Sequence, residues 1–297
     1  MCHIEIERKR EIVIEYTQCT SNDIDDMFLA FNRGFSDYII KFDITKERFV
    51  ELFLHIEGNS TEYSFIARDG NKPVGIMLGG MKVYEGIKTL RCGTLAIDPL
   101  YRNQGIAQEL FERHKALAIE QGCKQLFLEV IKGNDKAIKF YLKQGYEIKN
   151  DIFYYQLKDV TKLNYSLPDS IEIKLIDFDQ AKSYYMTNDG SHINWQNDFD
   201  YQSHFESIRY VAAFKQDTCV GVLGINNAGK IFYIHVLESH RLNGIGKSLV
   251  SYITNKINMT SINLSITKSD NLPCFLEKLG FSLQSLSQHE MYLYLDR

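Results

Sequence analysis

No stretch of this sequence approaches the run of about 18 apolar residues that a membrane helix needs, and the opening MCHIEIERKREIVIEY is too charged for a signal peptide. The six cysteines (Cys2, Cys19, Cys92, Cys123, Cys219, Cys274) include no CxxC pair. In a chain this long, that scatter implies reduced thiols, mostly buried, in a reducing compartment, and the expected location is the cytoplasm. The eight histidines show no HExxH or similar ligand spacing, so no metal is expected. A formal net charge of -4 gives no reason to expect a nucleic acid or an anionic membrane as partner. What remains is an ordinary globular composition, 44% hydrophobic and 24% charged. At 297 residues the chain suits two domains of about 100–200 residues each better than one.

Proline is scarce, and one of the four lies in the polar stretch DVTKLNYSLPD at 159–169. A boundary there gives domains 1–160 and 161–297. Both sides carry the same order of elements. In the first, EIVIEYT alternates as a strand, and SNDIDDMFLAFNRG reads as a helix capped by Ser21 or Asn22. A second helical run, ITKERFVELFLHIEG, precedes a hairpin that turns at Asp69-Gly70-Asn71. The strand IKTLRCGTLAID leads into the loop YRNQGIAQEL, whose helix carries Ile106, Leu110, His114 and Leu117 on one stripe and ends near Gly122. LFLEV is a short apolar strand, and NDKAIKFYLKQG is a helix capped by Asn134 and stopped by Gly145. YEIKNDIFYYQL reads as a closing hairpin. IEIKLID, YVAAFKQDTCVGVLGINN, KIFYIHV, RLNGIG, INLSI, DNLPCFLEKLGF and MYLYL repeat the order. The period is too long for a solenoid. The expected fold class is α/β (mixed α+β) in two tandem domains, each a twisted mixed sheet flanked by helices.

The loop recurs: Arg102, Gly105, Ile106 and Leu110 return as Arg241, Gly244, Ile245 and Leu249. A small-residue loop at a helix start aims several backbone N–H groups at one spot, where the helix dipole adds positive potential, and such a spot binds phosphate. Gly105 lets the backbone approach the anion, Ala107 keeps the next approach clear, and Arg102 can add a charged contact. The alternative is an ordinary turn with a surface arginine; recurrence after a strand in both halves favours the binding site. Two nucleotide motifs fail. LESHRLNGIGKS has Arg241 where GxxxxGK(S/T) needs its first glycine, and neither junction holds GxGxxG.

The arrangement resembles the GCN5-related N-acetyltransferases (GNAT). Their (Q/R)xxGx(G/A) signature is matched by Arg102-Asn103-Gln104-Gly105-Ile106-Ala107. Their NxxAxxFYxxxGF-like segment is matched by Asn134 to Tyr141, with Ala137 and Phe140, and then Gly145-Tyr146. The resemblance covers nearly all of residues 11–158. It implies fourth and fifth strands that splay apart, with acetyl-coenzyme A as cosubstrate between them. Backbone groups of Leu95, Ala96 and Ile97 would run along the pantetheine arm and residues 102–107 would hold the pyrophosphate. Asn134, Ala137 and Tyr141 complete the coenzyme side, and Tyr141 holds the place of the general acid that serves the departing thiolate. Some relatives carry a glutamate base where this sequence has Arg91; Glu129 on the fifth strand is the alternative.

The second half keeps the loop, as Arg241-Leu242-Asn243-Gly244-Ile245-Gly246, but places Leu276, Ser269 and Leu272 where Tyr141, Asn134 and Ala137 stand, and Pro273 is expected to interrupt the helix start. This half is expected to be catalytically silent. The resemblance places the acceptor against residues 27–60. Of Phe28, Phe31, Phe35, Tyr38 and Phe42, most are expected in the core, with the rest lining an apolar pocket. His192, Trp195 and Tyr201 are further acceptor candidates. The expected function is transfer of an acetyl group to the amine of a small molecule by direct attack in a ternary complex, by a monomer or homodimer. A non-catalytic acyl-coenzyme A sensor or scaffold is the alternative.

Overall fold

A computed structural model describes residues 13–163, 170–188, 191–267 and 272–295. Cys2, Ser269 and most of the 159–169 stretch lie outside the described residues. Contacts divide the chain between Leu128 and Glu129 into two compact units, with Tyr294 and Leu295 returning to the first.

The first unit begins with β1 (Ile14–Gln18) and α1 (Ile24–Gly34). The cap is Thr20, one residue earlier than expected. Its hydroxyl accepts from the Asn22 N–H, and its own N–H donates to Asp23 at 2.7 Å, starting the 3-10 turn that feeds α1. Burial pushes the Asp23 carboxyl up, but hydrogen bonds from Thr20 and Arg68 outweigh it and hold the group below its usual range. The second helical run is α2 (Lys46–Phe49), capped by Thr45, and it widens over Val50–Ile56 into a turn that closes with the Glu57 N–H on the Leu52 carbonyl. β2 (Ser60–Asp69) and β3 (Lys72–Tyr84) form the expected hairpin, with Gly70 at φ 58. β4 (Ile87–Ile97), α3 (Ile106–Glu120) and β5 (Gln125–Ile131) follow. The strands lie in the order β1-β2-β3-β4-β5, antiparallel until β5 runs parallel to β4. Phe31, Phe49, Met27, Ile66, Ile76 and Leu78 pack between α1, α2 and the sheet. Of the five aromatic residues expected near the acceptor, only Phe31 is fully buried. Phe28, Phe35 and Phe42 sit at the margin of this core, and Tyr38 stands edge-on to Phe35 at 4.9 Å.

The second unit takes the end of β5 from Glu129 and continues through α4 (Asp135–Lys143) and β6 (Glu147–Leu157). It then holds β7 (Ile171–Ile176), α5 (Phe178–Asn188), α6 (Phe199–Gln202), β8 (Arg209–Lys215), β9 (Thr218–Ile225) and β10 (Lys230–Val236). α7 (Ile245–Lys256), β11 (Ile262–Thr267), α8 (Leu272–Lys278) and β12 (Ser282–Tyr294) complete it. β6 is one unbroken strand, not the hairpin that YEIKNDIFYYQL suggested. It stays extended because both of its edges are taken: Ile152–Leu157 pair with β11, and Glu147–Gln156 pair with β12. The strand that closes the first sequence copy thus lies inside the sheet of the second unit, between that copy's last two strands.

Candidate active site

β4 and β5 share three ladder pairs, Thr89↔Gln125, Leu90↔Leu126 and Arg91↔Phe127. Beyond Arg91, β4 continues for six residues paired only to β3 among the described residues. Leu95, Ala96 and Ile97 therefore present an unladdered strand edge, which is the expected splay. Asp98 then ends the strand. Its N–H donates to the Val74 carbonyl, and its carboxylate accepts from the Leu100 N–H to close a turn over Pro99–Tyr101.

The next residues are shaped by two left-handed positions, Asn103 at φ 62 and Gly105 at φ 83. Asparagine tolerates that region and glycine enters it freely. α3 starts immediately afterwards without a side-chain cap, and its first ladder bond from the loop is Glu109 N–H to the Gly105 carbonyl at 3.0 Å. The N–H groups of Asn103, Gln104, Gly105, Ile106 and Ala107 find no acceptor among the described residues, as the geometry of a helix N-terminus dictates. A Cβ built on Gly105 would meet nothing within 4 Å, so the space beside this glycine is open. Beneath them the Ile106 side chain is buried against Gly75, where a Cβ would come within 2.9 Å of Ile97 and 3.2 Å of Ile106. Five N–H donors without an acceptor at a helix N-terminus, with its dipole, suit a pyrophosphate, and the bare β4 edge suits an amide-bearing arm.

Arg102 is placed differently from the phosphate contact its position suggested. Its Nε donates to the Ile97 carbonyl at 3.1 Å and its Nη2 to the Gly34 carbonyl at 3.0 Å. Both terminal nitrogens hold Asp37 at 2.7 Å. The Arg102 hydrogen bonds keep the Asp37 carboxyl below its usual range. The side chain thus ties the loop to the end of α1, which presses so closely on β4 that a Cβ at Gly34 would lie 2.6 Å from the Ala96 Cβ. Arg91, at the mouth of the splay, is buried and paired with Glu57 at 2.7 Å. Sequence reasoning missed both pairs because the partners are 65 and 34 positions apart and no local pattern links them.

Residues 25–146 match the acetyltransferase (GNAT) family, and residues 192–293 match a second acetyltransferase (GNAT) domain. The chain belongs to the GNAT acetyltransferase family. The N-alpha-acetyltransferase 30 of Schizosaccharomyces pombe is 31% identical over 108 residues, covering 36% of this chain and 71% of the relative. The human N-alpha-acetyltransferase 30 is 26% identical over 43% of this chain, which spans 36% of that protein's length. Two solved structures share the fold over 95% of the chain. One is a tandem GNAT protein from the clavulanic acid biosynthesis pathway, 14% identical with a TM-score of 0.67 and 98% of it covered. The other is a GCN5-related N-acetyltransferase from Sphaerobacter thermophilus, 11% identical with a TM-score of 0.68 and 95% covered.

The remaining GNAT site residues lie in the second unit. Asn134 caps α4, its side chain accepting the Ala137 N–H at 3.3 Å, and Gly145 at φ 93 ends the helix region as expected. Tyr141 is buried, its ring 5.4 Å from Phe140 and 5.6 Å from Tyr146. Glu129 is half-buried and accepts from Gln196 Nε2 at 3.3 Å. Trp195 and Tyr201 are buried, whereas His192 keeps 22% of its side chain exposed.

The second GNAT copy rebuilds the loop. Leu242 at φ 65 and Gly244 at φ 77 match Asn103 and Gly105, and Arg241 Nε donates to the Val236 carbonyl at 2.9 Å as Arg102 does to Ile97. β10 and β11 also part early, after Lys230↔Asn263 and Ile231↔Leu264. The residue at one place differs: Leu276, also buried, stands where the first copy has Tyr141. Pro273 does not interrupt α8. It falls in the first turn, where no intrahelical donor is needed.

Proposed function

We propose that this GNAT protein transfers the acetyl group of acetyl-coenzyme A to the amine of a small molecule by direct attack. The observation that carries the reading is the open amide cradle at residues 103–107 beside the unladdered edge of β4. Those amides hold the pyrophosphate, with Arg102 keeping the loop in shape, and Leu95, Ala96 and Ile97 hold the arm. Acetyl-coenzyme A supplies an activated acyl group and a good leaving thiolate. The Ile97 N–H polarises the carbonyl, Tyr141 gives the departing sulfur its proton, and the proton of the amine leaves on the Glu129 side, directly or through water. Asn134 and Ala137 fix the helix that carries Tyr141. The second copy completes the molecule without chemistry of its own, since Leu276 offers no proton.

The resemblance to N-alpha-acetyltransferase 30 favours a second reading, in which the acceptor is the α-amine of a peptide. A panel of small amines and peptide N-termini, read by release of free coenzyme A thiol, tests both. Turnover restricted to peptides replaces the first reading with the second, and no turnover on any member removes the enzymatic reading.

A further inference from the structure

The bare edge of β4 has a definite starting point, and the ladders locate it. Against β3, Cys92 pairs with Gly79 and Thr94 with Leu78, so Gly93 is an extra residue, a bulge. The last rung to β5, Arg91↔Phe127, comes just before it. A bulge bends its strand and increases the local twist. β4 therefore changes course at Gly93, just ahead of Leu95, Ala96 and Ile97.

What fixes the bulge lies outside the strand. Asn59 is buried in the turn at 57–59, between the widened end of α2 and β2. Its Nδ2 donates to the Phe53 carbonyl at 2.7 Å, joined by its own backbone N–H at 3.4 Å. A carbonyl only accepts, so this bond dictates which way the carboxamide lies. Oδ1 is left facing Gly93, where any Cβ would collide with it. That oxygen is buried and accepts no hydrogen bond from the described residues. An interior oxygen without a donor costs free energy, and native folds carry few of them.

Two further contacts hold the turn against the sheet. Glu57 pairs with the buried Arg91 at 2.7 Å. A Cβ on Gly80 of β3 would come within 2.5 Å of the Gly58 carbonyl oxygen, and Gly58 itself takes φ 68. Residues 57–59 thus meet β3 and β4 at Gly80, Arg91 and Gly93, around the bulge. Every group in this arrangement belongs to the first unit.

Resting on the acetyl-coenzyme A placement proposed above, we propose that Asn59 is a positioning residue for the pantetheine arm. Its carboxamide, clamped by the Phe53 carbonyl and wedged on Gly93, sets the bulge that aims the edge of Leu95, Ala96 and Ile97. Asn59 touches no substrate in this role and acts through the course of β4. It therefore bears on the arm and not on the pyrophosphate, which the amides of residues 103–107 hold.

The test compares Asn59→Ala, Gly93→Ala and the double variant with wild type, all as the full chain. Calorimetry measures affinity for acetyl-coenzyme A and for ADP, which carries a pyrophosphate but no arm, and thermal melts check folding. Each single variant should bind acetyl-coenzyme A about tenfold more weakly, the worth of about one hydrogen bond to the arm, with ADP affinity unchanged. The double variant should be no weaker than Gly93→Ala alone, because the new Cβ enters the space that the carboxamide leaves. Asn59→Ala opens space rather than filling it, so it carries the comparison if Gly93→Ala does not fold. A folded Asn59→Ala protein with wild-type affinity for acetyl-coenzyme A overturns the proposal while leaving acetyl transfer standing. An equal loss for ADP also overturns it, since that marks a general disturbance of the fold. If wild type binds neither ligand, the coenzyme site itself fails, and the proposal falls with it.

Discussion

His114 offers a perturbation whose size can be worked out in advance. It sits on the buried stripe of α3, the helix whose first turn forms the amide cradle, with no exposed surface. Neither ring nitrogen has a partner within hydrogen-bonding geometry. Burial drives its pKa from 6.5 down to about 3, with the nearby Tyr63 backbone opposing only part of that shift. A depressed basic group stays neutral in the fold while the unfolded chain takes up a proton, so stability is full above pH 6.5 and is lost as pH falls towards about 3. At pH of about 5, about 1.5 pH units below the unfolded pKa of 6.5, protonation of the unfolded state amounts to about 2 kcal/mol, against almost nothing at pH of about 7.5. His114→Leu keeps nearly the same volume and cannot titrate. Urea unfolding followed by far-UV circular dichroism at both pH values should show the variant gaining about 2 kcal/mol on wild type between them. If the two stabilities run parallel with pH, the ring is either already charged in the fold or reaches water, and the reasoning fails.

Three further outcomes test the acetyl-transfer site. Gly105→Glu should abolish measurable acetyl-coenzyme A binding by calorimetry, whereas Gly105→Ala, which carries the same positive-φ strain of about 1 kcal/mol without the carboxylate, should bind with only modest loss. Tyr141→Phe should lower kcat about 100-fold with acetyl-coenzyme A affinity nearly unchanged, because the lost interaction forms mainly in the transition state; wild-type kcat with chemistry limiting would leave the tyrosine as packing. Gly244→Glu should leave kcat intact, and its loss in a folded protein that still binds acetyl-coenzyme A would give the second copy a part in the chemistry.

Features set by neighbours in sequence were readable in advance. Gly105 and Gly145 both adopt the left-handed backbone their positions called for, Asn134 caps its helix, and the hairpin turns at Gly70. The early parting of β4 and β5 followed from resemblance alone. What stayed hidden depends on distant partners. Nothing in YEIKNDIFYYQL announces that β11 and β12 occupy both of its edges. Arg102 looked like a phosphate ligand because its carboxylate partner, Asp37, is remote in the chain. Nothing in the sequence singles out Glu290, which only the fold buries against Asn150, 140 positions away, and His192.

The placement of β6 bears on how such a chain changes over generations. A tandem duplication ordinarily stays reversible, since unequal crossing-over can excise one copy and leave a reading frame that folds as the ancestor did. Here the surviving second copy would lack the strand between β11 and β12, and both would face water as open, hydrogen-bond-hungry edges prone to aggregate. Excision is closed off once a strand has been shared. The second copy can then persist whatever its own chemistry, and its loops become free material for new contacts.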